Sequence, residues 1–543
     1  MRDSNPSVKP VRHKRQLALV GVVGAGAILL SACHPNAVPT ANDKVVGGSR
    51  PNKLSTSFRE SVVAQGSTPL ENGTTAVPFY GYLGDGPHVP VPGDLPSANH
   101  KVEATKTEPD KNTYLVLANQ SGADATYNYG THFLFQGHEN GAPGYITRIN
   151  LDADANHRVT LLGTQDTDAQ DLPDFDGSTW DPWAQRLLFT AEGSKGGGVW
   201  QSTTGPGATI ENLTGIIGQG GYEGIQNDSV GNLWIVEDIG GAKGTVNNKA
   251  KQQNSFVLRF VPTNPSDLKA GGKLQALQVQ SQATPGSPIA FHAGAADADI
   301  LSQDAKDLHT YGKSFTTTWV TIHDTAVDGT APFNANALAK TAQATPFKRP
   351  ENGVFRPGIG FTEFYFTETG DTDAGTQAGS DYGGFGAVYK LSQYAPNAAG
   401  GTLSLLYKGD VAHTGLDNLA FRDQNNVVVV EDAGDALHTQ RNALDSAFEL
   451  DVTAKYGAVG AAEPTRVLAE GRDPAATLDS QFSGMAGFQN DGDNEITGIH
   501  ISNGDPGPTG VLGAFVPNVG ANGWRVFWTQ QHGENITFEI FKN

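Results

Sequence analysis

The chain has 543 residues, of which 38% are hydrophobic and only 17% are charged, and it contains 67 glycines and 30 prolines. This composition argues against a disordered or mainly helical chain and favours a large globular fold with many turns. The 57 acidic residues outnumber the 37 basic ones, giving a formal charge of -20. Nucleic acid and anionic membrane surfaces are therefore poor partners, whereas cations are good ones.

The N-terminal segment has the pattern of an export signal. Basic residues precede an apolar run at residues 17–30, which has the length of a signal-peptide core and is short for a membrane span. The run ends in LSAC, which resembles the lipobox of bacterial lipoproteins, and Cys33 is the only cysteine. We expect residues 1–33 to be a signal peptide and Cys33 to carry lipid, which predicts an exported envelope lipoprotein on the periplasmic side or cell surface. The alternative is an ordinary signal sequence with a chance cysteine.

After the leader, the composition changes twice. Residues 34–75 are rich in polar residues, Pro and Gly and are predicted to form a flexible tether. Residues 76–543 contain short apolar strands separated by Gly, Asn and Asp turns and are predicted to form one catalytic domain. An insertion is predicted at about residues 265–345, where FNANALAKTAQA indicates a short helix.

A hairpin pattern repeats along this domain. GYEGIQNDSVGNLWIVED at 221–238 aligns without a gap to GLDNLAFRDQNNVVVVED at 415–432, and looser copies lie at 174–193 and 351–370. A repeated hairpin with an acid at each open end indicates the blades of an all-β propeller with short helical insertions. Glu192 and Glu237 lie 45 positions apart, which predicts a step of one blade between them.

The repeated acids predict a metal site. In an antiparallel hairpin, Glu223 and Glu237 lie at the same end of the blade, and Asp417 and Glu431 repeat this arrangement. Packing of the blades would gather these ends around a central channel, where like charges repel one another and raise each other's pKa. Ca²⁺ binds several oxygen ligands in irregular geometry and would neutralise such a cluster. The alternative is that each Glu-Asp pair is a solvated strand end.

The chain resembles the PhoX-type alkaline phosphatases, a secreted bacterial family, over most of its length after the leader. The segments that carry the resemblance are STWDPWAQRLLFTAEG, GYEGIQNDSVGNLWIVED, ATPFKRPENGVF followed by FYFTETG, and GLDNLAFRDQNNVVVVED. The resemblance implies a six-bladed propeller that hydrolyses phosphate monoesters with an iron pair and calcium ions. It implies metal-binding carboxylates at Glu192, Glu223, Glu237, Glu351 and Glu431, a phosphate contact at Arg349, and a match to the family's Asp-Asn pair at Asp417 and Asn418.

One position departs from the family pattern. The family has an iron-ligating cysteine just before the acid that follows its Trp-rich strand, and Ala191 takes that place here. Because alanine supplies no ligand atom, calcium is the expected cofactor and iron remains the alternative. Oxygen donors alone could still hold a cation that polarises a phosphate.

The KRPE segment is the predicted phosphate site. Arg349 could offer a planar fork to two phosphate oxygens, and Glu351 would face the same side of an extended segment. We therefore predict Arg349 to be the catalytic residue and to bind substrate. The alternative for Arg349 is a surface ion pair with Glu351, and Lys348 is expected to be solvated.

Three histidines are weaker candidates. His532 follows an apolar strand in the position of a final blade, where the family has Gln-His, and it is predicted to bind substrate together with Asn418. His132 and His138 are candidates for metal or substrate contacts, although a lone loop histidine usually has neither role.

Two functions are compatible with these patterns. The first is a metal-dependent envelope phosphatase acting on extracellular monoesters, with diesters as a further class. The second is a non-catalytic calcium-binding propeller lipoprotein that acts as a binding or scaffold module. Arg349 favours the enzyme because structural calcium needs no cation beside it, whereas Ala191 favours the scaffold. The expected partner is a small phosphate ester, with a monomeric protein, no nucleic acid, and membrane contact only through the lipid anchor.

Overall fold

The computed structural model describes residues 52–84, 106–193, 196–246, 248–433, 445–457, 461–470, 495–521, 523–531 and 535–543. Most regular structure in these ranges is antiparallel β-sheet arranged as a propeller, which confirms the predicted fold class. The predicted signal peptide, Cys33 and His532 lie outside the described residues. Among the residues that the structure does describe, no helix combines the length and apolar composition of a membrane span.

Two strands near the start of the described chain become outer strands of later blades. β1 is Lys53–Leu54 and β2 is Phe58–Ala64. β1 pairs with the fifth blade, and β2 pairs with the final strand of the chain. The predicted tether at residues 34–75 therefore differs from the structure at these strands, because the FRESVVA segment completes a sheet.

The first two blades each contain four consecutive strands, named here from the channel outward. They are β3 (Pro109–Val116), β4 (His132–His138), β5 (Ile146–Asn150) and β6 (Val159–Gly163), followed by β7 (Ser178–Asp181), β8 (Arg186–Ala191), β9 (Gly198–Ser202) and β10 (Ile210–Asn212).

Blades 3 and 4 belong to one nine-stranded sheet. Their strands are β11 (Tyr222–Asn227), β12 (Leu233–Glu237), β13 (Val257–Pro262) and β14 (Gly272–Val279), then β16 (Gly353–Phe355), β17 (Glu363–Glu368), β18 (Ala387–Ser392) and β19 (Gly400–Lys408). The extra strand β15 (Ser314–Asp324) pairs with β14 on one side and β19 on the other, and so links the two blades at their outer edges.

The last two blades close the ring. They contain β20 (Leu416–Phe421), β21 (Asn426–Glu431), β22 (Ser446–Asp451) and β23 (Thr465–Ala469), then β24 (Glu495–Ser502), β25 (Arg525–Gln531) and β26 (Ile536–Lys542). The N-terminal strand β2 is the fourth strand of blade 6, so both ends of the chain are joined in one sheet. The innermost strands contact one another in the closed order β3, β7, β11, β16, β20, β24 and back to β3.

Short helices occur mainly in the region predicted as an insertion. They are α1 (Ala296–Ile300), α2 (Gln303–Leu308), α3 (Thr325–Asp328) and α4 (Ala335–Thr341), with 3-10 turns at Ala155–His157, Leu268–Ala270, Ser380–Tyr382 and Pro508–Gly510. The helix predicted from FNANALAKTAQA is α4. The start of the predicted insertion differs from the structure, because residues 272–279 form the fourth strand of blade 3.

Apolar clusters between neighbouring blades hold the propeller together. Phe135 of blade 1 and Phe189 of blade 2 belong to one cluster. Trp234 of blade 3 meets Phe355 of blade 4 edge to face, with 5.1 Å between ring centroids. Aromatic contacts of this kind are favourable beyond the area they bury. The hydrophobic core therefore consists of apolar layers between neighbouring blades, arranged around the channel.

The repeated hairpins occupy equivalent places in blades 3 and 5. Tyr222 pairs with Glu237, and Leu416 pairs with Glu431, so the two aligned segments share one register. Each hairpin turn contains an aspartate that accepts bonds from nearby backbone N–H groups, as Asp228 does from Val230 at 2.9 Å. Such local bonds stabilise tight turns.

Candidate metal centre

Five of the six innermost strands bring an acid to one end of the channel. Asp110, Glu223 and Asp417 lie on β3, β11 and β20, while Asp176 and Glu351 lie two residues before β7 and β16. All five side chains are buried. On β24, Thr497 lies beside the acids, and its hydroxyl donates a hydrogen bond to Asp110. The propeller therefore concentrates negative charge where its inner strands begin.

Local irregularities in the strands accompany these acids. β3, β11 and β20 each have a register shift at the acid, between Pro109 and Asn112 in the case of β3. Bulges of this kind redirect side chains. Close packing also restricts the residue after the acid, since a Cβ added at Gly177 would lie 2.1 Å from the Glu223 carbonyl oxygen. In blades 2 and 3 the acid at this channel end is thus followed by a glycine.

The acids form three overlapping groups, and together we call them the channel acids. In each group, ligand oxygens lie within 4.8 Å of one another. The groups are Asp110 with Glu139 and Asp176, Asp176 with Glu192 and Glu223, and Glu223 with Glu351 and Asp417. Glu192, Glu223, Glu351 and Asp417 were predicted from sequence, so the structure brings four of the predicted residues together.

The channel acids are electrostatically unfavourable as free carboxylates. Burial, reinforced by Asp176 and Glu192, raises the pKa of Glu223 well above its ordinary value. Burial and the nearby Asp238 raise the pKa of Glu192 to about 7. Burial also raises the pKa of Asp417 well above its usual range. Protons or cations must therefore compensate this cluster.

The donor set fits a hard cation better than a soft one. Carboxylate oxygens in irregular clusters are the ligands that Ca²⁺ prefers. Ala191 is the last residue of β8, and its side chain is buried in the apolar cluster that contains Phe189. Its side chain offers no ligand atom at the position where the resemblance implies a thiolate. The residues present therefore fit a hard cation that is bound by oxygen ligands.

Three other strand-end glutamates have a different role, and we call them the anchor acids. Glu431 accepts bonds from the backbone N–H groups of Thr414 at 2.9 Å and Ser446 at 3.1 Å. Glu237 accepts one from Phe256 N–H at 3.2 Å, and Glu368 accepts one from Lys348 N–H at 2.7 Å. The anchor acids Glu237, Glu368 and Glu431 lie in none of the three metal-compatible groups. Their carboxylates tie strand ends to neighbouring loops.

The repeated Glu-Asp ending combines an anchor acid with a residue of the opposite orientation. Consecutive strand residues point to opposite faces, so Asp238 and Asp432 follow Glu237 and Glu431 with their side chains on the other side. Phe189 of blade 2 and Ile235 of blade 3 occupy equivalent positions in their strand pairs. Glu192 and Asp238 each lie three residues later and are therefore equivalent to one another. Glu192 and Glu237, which the sequence predicted to lie one blade apart, therefore do not occupy equivalent positions in their blades.

Arg349 lies among these carboxylates and is oriented by Asp238. Its Nε is 2.9 Å and its Nη2 is 2.7 Å from Asp238 Oδ2, whereas Nη2 is 3.6 Å from Glu351 Oε1. The side chain is 18% exposed. Its φ of 59° is uncommon for a non-glycine residue, and such strain often marks functional sites. Arg349 is thus a positioned guanidinium rather than a mobile surface group.

Lys348 does not lie in solvent as predicted. Its ammonium is 3.0 Å from Asp371 Oδ1, and both side chains are fully buried. The difference arises because the Lys348 ammonium bonds to the buried Asp371, whereas the Arg349 guanidinium lies against Asp238 and Glu351.

The sequence predictions missed three channel acids, Asp110, Glu139 and Asp176, and the nearby Lys111. Asp110 and Glu139 belong to blade 1, whose PDK and HEN segments were not aligned with the other hairpins. Lys111 is buried beside Asp110, and its Nζ is 2.5 Å from Asn352 Oδ1. Burial lowers the pKa of Lys111 to about 8, although four neighbouring acids oppose that shift. The signal that could have identified blade 1 was an acid at the start of a predicted strand, as Asp110 is at the start of β3.

The remaining predicted polar residues within the described chain have other contacts. Asn418 is buried beside the channel acids: it donates to Asp417 Oδ1 at 2.7 Å and accepts from Gly498 N–H at 3.1 Å, so it braces β20 against β24. His138 contacts Thr107 and Thr147 hydroxyls. His132 pairs with Asp152 at 2.9 Å. Neither histidine belongs to a metal-compatible group among the described residues.

The solved structures that match this chain are only distantly similar to it. An α-L-arabinofuranosidase from Podospora anserina is 8% identical, with 89% of this chain and 98% of that chain covered and a TM-score of 0.31. The PQQ domain of pyranose dehydrogenase from Coprinopsis cinerea is 12% identical, with coverages of 90% and 97% and a TM-score of 0.31. These similarities are too weak to transfer a function. No curated protein was found to match the chain.

The family comparison is more specific. The model of the family described as alkaline phosphatase PhoX matches residues 242–503. The matched region contains Arg349, Glu351 and Asp417, whereas Glu192 and Glu223 precede it. The predicted resemblance to the PhoX-type alkaline phosphatases is therefore confirmed over residues 242–503, slightly less than half of the chain.

Proposed function

We propose that this chain is a metal-dependent phosphatase that hydrolyses phosphate monoesters at the acidic end of its channel. The observation that carries this proposal is the position of Arg349, a guanidinium held by Asp238 and next to the channel acid Glu351. A cluster that only bound structural calcium would gain nothing from a competing cation at this place. The match of residues 242–503 to the phosphatase family supports the same function.

Calcium is the proposed cofactor, and the channel acids would hold it. Glu223, Glu351 and Asp417 form the fully buried group closest to the KRPE segment. When bound, the cation would neutralise phosphate charge and polarise the ester. Iron is the alternative metal, at a site that would have to do without the family's cysteine.

Arg349 would bind and orient the phosphoryl group. Nε and Nη2 are engaged by Asp238, while Nη1 makes no hydrogen bond to the described part of the chain. An N–H group directed at phosphoryl oxygens stabilises charge that develops during transfer. Asp238 fixes the plane of the guanidinium, so the group needs little reorganisation when substrate arrives.

A scaffold function is the second candidate, and Ala191 is the observation that favours it. The position contributes only apolar packing to the interblade cluster. In a scaffold, the channel acids would bind calcium to rigidify the propeller without turnover. Activity measurements on metal-replete protein separate the two candidates.

The proposed location is the cell envelope, with a lipid on Cys33 as the only membrane attachment of a monomeric protein. We expect Cys33→Ala to release the mature protein from the membrane fraction. Membrane fractionation followed by mass spectrometry of the N-terminal peptide checks this expectation. Finding the protein in the cytoplasm with its leader still attached would contradict it.

Substitutions in the KRPE segment test the catalytic proposal. Arg349→Ala should reduce phosphomonoester turnover by about 10²-fold or more, with metal content and melting temperature nearly unchanged. Arg349→Lys should rescue only part of the activity, because the lysine ammonium is a point charge and does not reproduce the planar, two-pronged donor geometry of the guanidinium. Glu351→Gln should lose metal as well as activity. Equal turnover by Arg349→Ala and wild-type protein would reject this role for Arg349.

A further inference from the structure

A second concave site lies outside the channel acids. The connection between β14 and β15, residues 280–313, folds over the loop that precedes β13 and encloses a cavity of about 430 Å³. This volume falls within the range of small-molecule sites in proteins. None of the lining residues is a channel acid or an anchor acid. Exposed residues such as Thr284 and Ser287 form its outer rim.

Strand direction places this cavity on the same face of the propeller as the channel acids. β12 ends at Glu237 on that face. β13 then runs away from the face, and the antiparallel β14 returns to it. Residues 238–256 and 280–313 therefore both emerge at the acidic end of blade 3. The first loop begins with Asp238, the partner of Arg349, and contributes Gln253 to the cavity wall.

Gln253 is the most informative residue of the cavity. It is 6% exposed, and neither its amide nitrogen nor its amide oxygen makes a hydrogen bond to the described residues. The preceding Gln252, in contrast, donates to Asp299 Oδ2 at 2.7 Å and to the His292 carbonyl at 3.0 Å. A buried amide without partners is unfavourable unless a bound group supplies them. Gln253 thus has one unused donor group and one unused acceptor, both covered by neighbouring atoms, and rotation of its side chain toward the cavity would present them to a ligand.

The rest of the lining restricts the chemistry of a ligand. Asp304 contributes a carboxylate held by Ser281, whose hydroxyl is 2.6 Å from Oδ1. Ile289 and Leu308 supply buried apolar surface. The lining contains no lysine or arginine, which disfavours phosphate and other anions. It also contains no aromatic ring other than His292, so it lacks the usual cage for an organic cation.

We propose that this cavity binds a small neutral polyhydroxylated molecule of monosaccharide size. The Gln253 amide would both donate to and accept from hydroxyl groups, and the Asp304 carboxylate would accept from a neighbouring hydroxyl. The apolar carbon face of the ligand would lie on Ile289 and Leu308. The proposal does not depend on the phosphatase activity, because it concerns binding at residues outside the channel.

Ligand-observed saturation-transfer NMR on calcium-loaded, full mature protein tests the proposal, with D-glucose and myo-inositol as probes. Wild-type protein should transfer saturation to at least one polyol. Gln253→Leu should raise the dissociation constant at least tenfold while the melting temperature stays equal or rises, because the unpaired amide is removed. Asp304→Asn should also weaken binding. Gln303→Leu is the matched control, since Gln303 is exposed on α2 and lies outside the lining.

Two added compounds define the specificity. Excess inorganic phosphate should leave polyol binding unchanged, and 1,4-diaminobutane should show no comparable binding. The proposal is overturned if neither polyol receives saturation or if the diamine binds instead. It is also overturned if phosphate displaces the polyol, because the polyol would then be bound at the channel acids and not in this cavity. Unchanged polyol affinity in Gln253→Leu would overturn it as well.

Discussion

Five of the seven channel acids and all three anchor acids are buried, yet their surroundings differ. Glu431, an anchor acid, receives two backbone N–H groups, so its charge is compensated by the fold itself. Glu223, a channel acid, faces Asp176, Glu192 and Glu351, and burial with these neighbours raises its pKa. Burial alone therefore does not identify a metal ligand. The decisive property is whether the protein supplies the compensating positive groups or leaves that role to a cation.

The difference predicts separate consequences for stability. Anchor acids contribute to the folded state with or without metal, because their donors belong to the chain. Channel acids oppose folding when no cation is present and favour cation binding when one is available. Substitutions in the two sets should therefore have opposite effects in chelator.

The largest effect is expected at a channel acid. Glu223→Gln should lose bound calcium and reduce phosphomonoester turnover by about 10²-fold or more. In EGTA, however, the variant should melt at a higher temperature than wild-type protein, because one repelling charge has been removed. Elemental analysis and calorimetry on the same samples check both parts. A lower melting temperature in EGTA would show that Glu223 stabilises the metal-free fold.

The matched substitution at an anchor acid should affect stability instead. Glu431→Gln replaces one acceptor with an amide donor facing a backbone N–H, and it should cost about 1–3 kcal/mol of unfolding free energy. The loss should be equal in calcium and in EGTA, with metal content unchanged. Denaturant unfolding under both conditions measures it. Loss of calcium from this variant would instead place Glu431 among the metal ligands, as the sequence predicted.

The pH dependence of metal-free protein tests the channel charges together. Burial and the nearby Asp238 raise the pKa of Glu192 to about 7, above the ordinary value of about 4.3. The folded state then binds more protons than the unfolded state between these values, so stability falls as pH rises. In EGTA, the melting temperature should decrease between about pH 5 and pH 7. Calcium should flatten the profile, and an equally steep profile with calcium would contradict the account.

The smallest effect is expected at Lys111, one of two cations that the chain itself places near the channel acids, the other being Arg349. Lys111→Met should increase calcium affinity by less than about tenfold, or about 1.4 kcal/mol, because it removes a positive charge near the channel acids. Lys269→Met is a suitable control, since Lys269 forms a surface pair with Glu211. Calorimetric calcium titration compares the variants. Weaker calcium binding by Lys111→Met would indicate that Lys111 mainly maintains site geometry.

Sequence patterns predicted the propeller and most of the acidic centre. The gapless alignment of 221–238 with 415–432 reflects identical hairpin registers, and strand repetition made the gathering of Glu223 and Asp417 predictable. The different roles of Glu237 and Asp238 were not predictable in the same way. Both are acids at a strand end, and only tertiary contacts show that Phe256 N–H and Asn336 bind Glu237.

Other differences have similar physical causes. Lys348 has the composition of a surface residue, and its burial depends on Asp371, which lies 23 positions later. FRESVVA has a modest strand pattern, and its place in blade 6 depends on pairing with β26 at the far end of the chain. Long-range pairing of this kind leaves no local sequence signal.

The central claim is that the channel acids hold cations that make phosphate-ester hydrolysis possible. The direct measurement is elemental analysis and phosphomonoester turnover on one sample, before EGTA dialysis, after dialysis, and after calcium is restored. The account predicts bound calcium with activity, loss of both on dialysis, and recovery of both with calcium. A metal-replete protein that hydrolyses no phosphate ester, with calcium alone or with calcium and iron, would contradict it.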